Sequence, residues 1–196
     1  MLATNISGVA TPRTLRTRAR IIDAALDLFE RQGYDATTVN QIAAAAGVTP
    51  MTFFRHFPTK DAVLVTDPYD PLIAEAVGAQ PAGLPPLERT RLGLLAALGD
   101  ITPTEDATAR RRVALVARSH ALRAAVSVGT EATQQAIVDR LVADGVERLD
   151  AAIAASACLA ATTAALLAWG SAPDDVTLAT LVRRALAQLA PAGATS

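Results

Sequence analysis

Two short amphipathic runs separated by one glycine constrain this chain more than any other feature. Thr37-Thr38 precedes Val39, Ile42, Ala43 and Ala46, then Gly47 intervenes. Val48-Thr49-Pro50 opens a second run that closes at Phe57-Pro58. Thr38 has the side chain of an N-cap, which predicts a helix from Val39 to Ala46. Pro50 suits the first turn of the next helix, because its missing N–H has no helical partner there. Two short helices around a glycine turn make a helix-turn-helix. Upstream, Leu15, Ile22, Ala25, Leu26 and Phe29 follow helical spacing and Gly33 supplies a stop, predicting a helix over Thr14–Gln32. Ile22, Ala25 and Phe29 would then share a core with Ile42, Ala43, Ala46, Val48, Phe53 and Phe57. The second short helix keeps Thr49, Met51, Thr52, Arg55 and His56 outside that core. None is acidic, so this face can enter a DNA major groove without repulsion.

The rest of the chain extends the all-α reading. Aromatic residues make up only 4% and alanine is abundant, which favours helix over strand. The 196 residues fit a small three-helix head and a larger helical body. Residues 1–13 read as a flexible arm, 14–60 as the head, 61–190 as the body and 191–196 as a loose tail. Thr59 would cap a fourth helix opening at Lys60. Pro68 and Pro71 predict a break or kink in it, with the helix resuming at Leu72–Val77. A Pro/Gly-rich linker covers Ala79–Pro86. Helices follow at Leu87–Leu98, Ala107–Val126, Thr130–Ala143, Leu149–Trp169 and Asp174–Leu189. The last would begin with Asp174 and Asp175 at its positive end.

Charge separates the two parts. Residues 1–60 carry seven Lys/Arg (Arg13, Arg16, Arg18, Arg20, Arg31, Arg55, Lys60) against four acids, a balance of +3 in a chain of net −1. A basic head on an acidic body is the footprint of a protein whose head alone meets phosphates. The single cysteine, Cys158, excludes an intrachain disulfide and reads as a buried small apolar residue. No hydrophobic signal core follows the N-terminal charges. The apolar run Ala151–Gly170 is so alanine-rich that a core or interface helix is expected rather than a membrane span, which gives a cytoplasmic expectation. Two histidines, no nucleophile–base pair and no Gly-rich phosphate loop argue against an enzyme, and no metal or cofactor is expected.

The run from Ile21 to Leu64, IIDAALDLFERQGYDATTVNQIAAAAGVTPMTFFRHFPTKDAVL, resembles the DNA-binding head of the TetR (tetracycline repressor) family, in the order LF…GY…TTV…IA..AGV…F.HF..K. The pieces DPYDPLIA and RRRVALVARSHALRA resemble an actinobacterial group of TetR proteins that includes those like the mycofactocin-system regulators. The resemblance implies roles at matching positions. Thr38 would cap its helix and bond a phosphate, with Gln41 near the groove edge. Thr49, Met51, Thr52 and Arg55, with Pro50 beside them, would face base edges. His56 and Lys60 would hold phosphates, Lys60 from the start of helix 4. Phe54 stands where the family very often has tyrosine. It cannot donate to phosphate, though stacking on sugar or a thymine methyl stays open to it. Arg16, with Arg13, Arg18 and Arg20, reads either as a solvated helix start or as an arm on phosphate or minor groove.

The resemblance also implies a homodimer paired through the last two long helices, and a small-molecule site in the body. Ala161 and Ala165 would allow close helix approach. Leu178, Val182 and Leu186 form an apolar stripe that could complete a four-helix seam between subunits, or pack within one subunit. Val116, His120 and Trp169 are candidate pocket residues. Trp169 equally suits a core anchor, and His120 an ordinary solvated histidine. Aliphatic lining favours a small apolar effector. The expectation is an operator-binding repressor released by such an effector. The alternatives are a helical interaction protein and a DNA-binding regulator that needs no ligand.

Overall fold

A computed structural model describes residues 12–65, 70–99, 102–171 and 176–190, all helical or connecting. The chain divides into two compact units, one reaching Val63 and the other starting at Leu64.

The head unit holds α1 (Pro12–Gln32), α2 (Val39–Ala45) and α3 (Pro50–His56), and α4 (Ala62–Val65) begins in it. Its core is Ile21, Ala25, Leu26, Phe29, Ile42, Ala43, Phe53 and Phe57, all buried. Ile21, not Ile22, supplies the core contact on α1; Ile22 is only half-buried. The difference is one residue of helical phase, which adjacent isoleucines cannot reveal. Thr38 caps α2 in a capping box: its hydroxyl accepts from Gln41 N, and Gln41 Oε1 accepts from Thr38 N at 2.8 Å. At the other end of α2, Val48 N donates to Ala43 O and Gly47 N to Ala44 O. This is the Schellman pattern, which needs the φ of +64° that Gly47 adopts. Thr49 then caps α3, with Pro50 in the first turn as expected.

The body unit continues with α5 (Asp70–Gly78), α6 (Pro86–Ala97), α7 (Pro103–Arg118), α8 (His120–Ala143), α9 (Arg148–Ser171) and α10 (Leu178–Ala187). Pro71 lies in the first turn of α5; Pro68 lies outside the described residues. Helix α9 is central and packs against α6, α7, α8 and α10. By length and composition it could cross a bilayer. Ile73, Val77, Leu94, Ile137, Leu141, Ala155, Cys158, Val182 and Leu186 form one buried cluster. Cys158 is buried as expected, and that burial pushes its thiol up to about 11. Helices α5 and α6 meet at Gly93, where a Cβ would lie 2.5 Å from Val77 Cα.

Two expectations are corrected. The helices anticipated at Ala107–Val126 and Thr130–Ala143 are instead divided at Ser119. Its hydroxyl accepts from Leu122 N and starts α8, which runs unbroken through residues 127–130. Gly129 does not end it, since a lone glycine is tolerated inside a long helix. The last helix starts at Leu178, capped by Thr177, rather than at Asp174. An acid does support its N-terminus, but from another helix: Asp106 of α7 accepts from Leu178 N at 2.6 Å. Asp174 and Asp175 themselves lie outside the described residues, as do positions 1–11 and 191–196.

Candidate nucleic-acid interface

Helix α3 is fixed to the head through Phe53 and Phe57, both fully buried, with their rings 5.8 Å apart. The opposite side is open. Thr49, Pro50, Met51, Phe54 and Arg55 are exposed, and Thr52 and His56 are partly so. The Thr49 hydroxyl accepts from Thr52 N at 3.1 Å and lies 3.0 Å from the Thr52 hydroxyl. Each of these hydroxyls therefore already has a partner within the helix cap. Phe54 sits edge-on against Phe53, their ring centres 5.6 Å apart, which orients its ring outward. Burial, then the charges of Arg18 and Arg55, hold the His56 imidazole below its usual range. The shift favours the neutral imidazole.

Thr38 and Gln41 are exposed at the start of α2, and Arg16 is exposed on α1. Gln41 Oε1 is held by the capping box and also accepts from Gln32 Nε2 at 3.3 Å.

Lys60 is placed differently from the expectation. It precedes α4 by two residues, and its ammonium turns into the head. It donates to Tyr34 O at 2.7 Å and Thr37 O at 2.9 Å, and lies 4.0 Å from the Tyr34 ring centre. Two of its three donors are committed to the loop between α1 and α2, the loop that presents Thr38. Residue types alone do not mark Lys60 as the group that closes this loop.

Arg18 is a second residue with an unforeseen role. Its Nη1 donates to His56 O at 3.2 Å, and its guanidinium lies 4.3 Å from the Phe57 ring centre. It thus satisfies a terminal carbonyl of α3 and stacks on the residue that anchors that helix. A basic residue on the inner side of α1, near an otherwise apolar core face, was the only signal in the sequence.

In the body, Val116 and Trp169 are buried on α7 and α9, while His120 is exposed at the first position of α8. Trp169 Nε1 donates to Val176 O at 2.8 Å, and the Arg110 guanidinium lies 4.7 Å from its ring centre. The indole is therefore tied into the connection before α10, which fits the anchor reading. Ala161 and Ala165 are half-buried on α9. Val182 and Leu186, expected to pair subunits, are 4% and 0% exposed within the single chain, and Leu178 packs against the same core. The α10 stripe is consumed inside the subunit. An apolar face is left open on α9: Leu149 and Ile153 are 64% and 58% exposed, and Ser156, Ala160, Ala164 and Ala168 continue the row.

The head from residue 21 to 65 matches the model of bacterial regulatory proteins of the tetR family, and residues 84–194 match the MftR C-terminal domain. The transcriptional regulator TcmR of Streptomyces glaucescens is 41% identical over 103 residues, 52% of this chain and 46% of that protein. The repressor KstR of Rhodococcus jostii is 36% identical over 78 residues, 38% of this chain and 36% of KstR. The matched regions thus span about half or less of these curated relatives. Thermus thermophilus FadR, solved with lauroyl-CoA, superposes with a TM-score of 0.50 at 27% identity, covering 88% of this chain and 92% of FadR. The complex of SmeT, a repressor from Stenotrophomonas maltophilia, with triclosan gives a TM-score of 0.58 at 24% identity over 88% of each chain, a likeness of fold. With its head matched by one family model and more than half its length by another, the chain belongs to the TetR family of bacterial regulatory proteins.

Proposed function

We propose that this chain is a sequence-specific regulator of transcription that binds operator DNA as a homodimer and represses until a small apolar effector releases it. The observation that carries the reading is α3. It is a rigidly seated helix with an open, acid-free face and Arg55 exposed on it. Phosphate contacts would come from Thr38, Gln41 and Arg16 around that helix, with His56 as a neutral donor and Lys60 acting mainly from within. The open face of α9 suits a second copy: its exposed leucine and isoleucine, followed by alanines, permit close packing about a twofold axis. Two α3 helices held about 34–36 Å apart would then meet successive major grooves. FadR supports an acyl-type or similarly apolar effector, and the aliphatic body is compatible with one. The effector would act by binding one spacing of the heads better than the other.

The test is selection of bound sequences from random duplex DNA, with an Arg55→Ala/Thr52→Ala variant alongside. Enrichment of a palindrome that the variant loses supports a dimeric, sequence-reading regulator. No enriched sequence from a folded dimer at moderate salt moves the helical interaction protein to the front.

A further inference from the structure

Helix α3 has an unusual stock of outward groups. Its sequence is PMTFFRH. It has no Asn or Gln to pair with adenine and no Asp or Glu to accept from cytosine, the side chains that read those bases directly. The Thr49 and Thr52 hydroxyls are engaged with each other and with the helix cap, which leaves the pair one hydroxyl hydrogen to donate. The large apolar side chains of α3 left exposed are Met51, at 73%, and Phe54, at 51%. They stand three residues apart on one face, and Arg55 is the next residue along it.

Exposed apolar side chains of this size lie out of water only if the partner offers apolar surface. The major groove offers one such group, the C5-methyl of thymine. Phe54 is braced by Phe53, so its ring direction is set before DNA arrives. Met51 is unbranched, and its thioether adapts to an irregular surface. Arg55 has the geometry for the O6 and N7 of guanine.

We propose that each operator half-site is read chiefly through thymine methyl groups, by Met51 and Phe54, next to a guanine held by Arg55. This rests on the operator-binding reading and narrows it to a stated base chemistry.

The experiment begins with the duplex recovered by selection. Each thymine is replaced in turn by deoxyuridine, which keeps every hydrogen-bonding group and removes only the methyl. Binding is measured for the full-length protein and for Met51→Ala and Phe54→Ala, which are surface changes expected to leave helical content and dimerisation intact. The expected result is a loss of about three- to fourfold per half-site methyl, and roughly tenfold when both half-sites lose it. Met51→Ala or Phe54→Ala should bind the thymine and deoxyuridine duplexes equally at the affected position. Methyl-independent binding at every thymine overturns the inference while leaving a sequence-specific regulator standing. Failure to enrich any sequence overturns both.

Discussion

In the head, Thr38, Gln41, Thr49 and Thr52 hydrogen-bond to partners three residues away. In the body, Arg112 reaches Leu64 across 48 residues, Arg110 reaches Val176 across 66, and Asp106 reaches Leu178 across 72. The head shapes its surface with local caps, then locks it with two longer basic contacts, Lys60 and Arg18. The body has local caps of its own, at Thr102, Ser119 and Thr177, and adds these contacts between distant helices. Its helices are set by interlocking apolar surface and by guanidinium or carboxylate groups that finish the ends of distant helices. A local cap organises its own helix end whatever the rest of the chain does. A distant cap forms only once the whole unit is assembled, so the body should fail more cooperatively than the head when one contact is lost.

Glycine tests that contrast most sharply. At Gly93, an added Cβ would meet Val77 backbone atoms at 2.5 and 2.7 Å, so two helices must separate. Gly93→Ala is expected to cost about 3 kcal/mol or more, the upper range for overpacking. At Gly47, an added Cβ meets only the end of Arg20, at 3.9 Å. Gly47→Ala therefore carries the left-handed backbone penalty alone, roughly 1–2 kcal/mol. Denaturant titration of both variants checks the ratio. Equal costs would mean that the α5–α6 contact yields easily and that the body is not held by close packing there.

Lys60 comes next in size. Lys60→Met removes two hydrogen bonds from an ammonium to carbonyls and the contact with Tyr34. The expected loss is about 2 kcal/mol of head stability. A lysine acting only on phosphate would leave the melting temperature unchanged and lower the salt slope of operator binding by about 1. The clamp predicts the reverse, a clear fall in melting temperature with little change in slope. Thermal melting and a salt titration on the same variant separate the two.

The same contrast explains what could be read from the sequence. The cap at Thr38 and the stop at Gly47 were legible because each is coded by residue types at fixed short spacing. The α3 face was legible for the same reason. Lys60 was named as a phosphate ligand, and Arg18 as either a solvated residue of the helix start or part of an arm on DNA, because a sequence shows a positive charge and not which carbonyl it meets. In the body, periodicity located the helices but misplaced the division at Ser119, since a serine inside an alanine-rich run signals a cap only weakly. It also assigned Val182 and Leu186 to a subunit interface. An apolar stripe has the same pattern whether another helix of the same chain or a second copy covers it.

Arg112 offers the finest test of the body's dependence on distant contacts. Its Nε and Nη2 both donate to Leu64 O, at 3.2 and 3.0 Å. Leu64 lies in the last turn of α4, and its helical donor would be the N–H of residue 68. Residue 68 is proline and has no N–H, whatever path the chain takes there. The guanidinium thus supplies what the proline withholds, from a helix 48 residues away. Arg112→Gln should cost about 1.5–2 kcal/mol, the range for a hydrogen bond from a charged donor. Pro68→Ala restores an N–H at that position; if that N–H takes up the carbonyl, the Arg112→Gln cost shrinks by at least half in that background. A double-mutant cycle by denaturant unfolding measures the difference. Strict additivity would show that Arg112 stabilises the body through other contacts, and that the carbonyl of Leu64 does not depend on it.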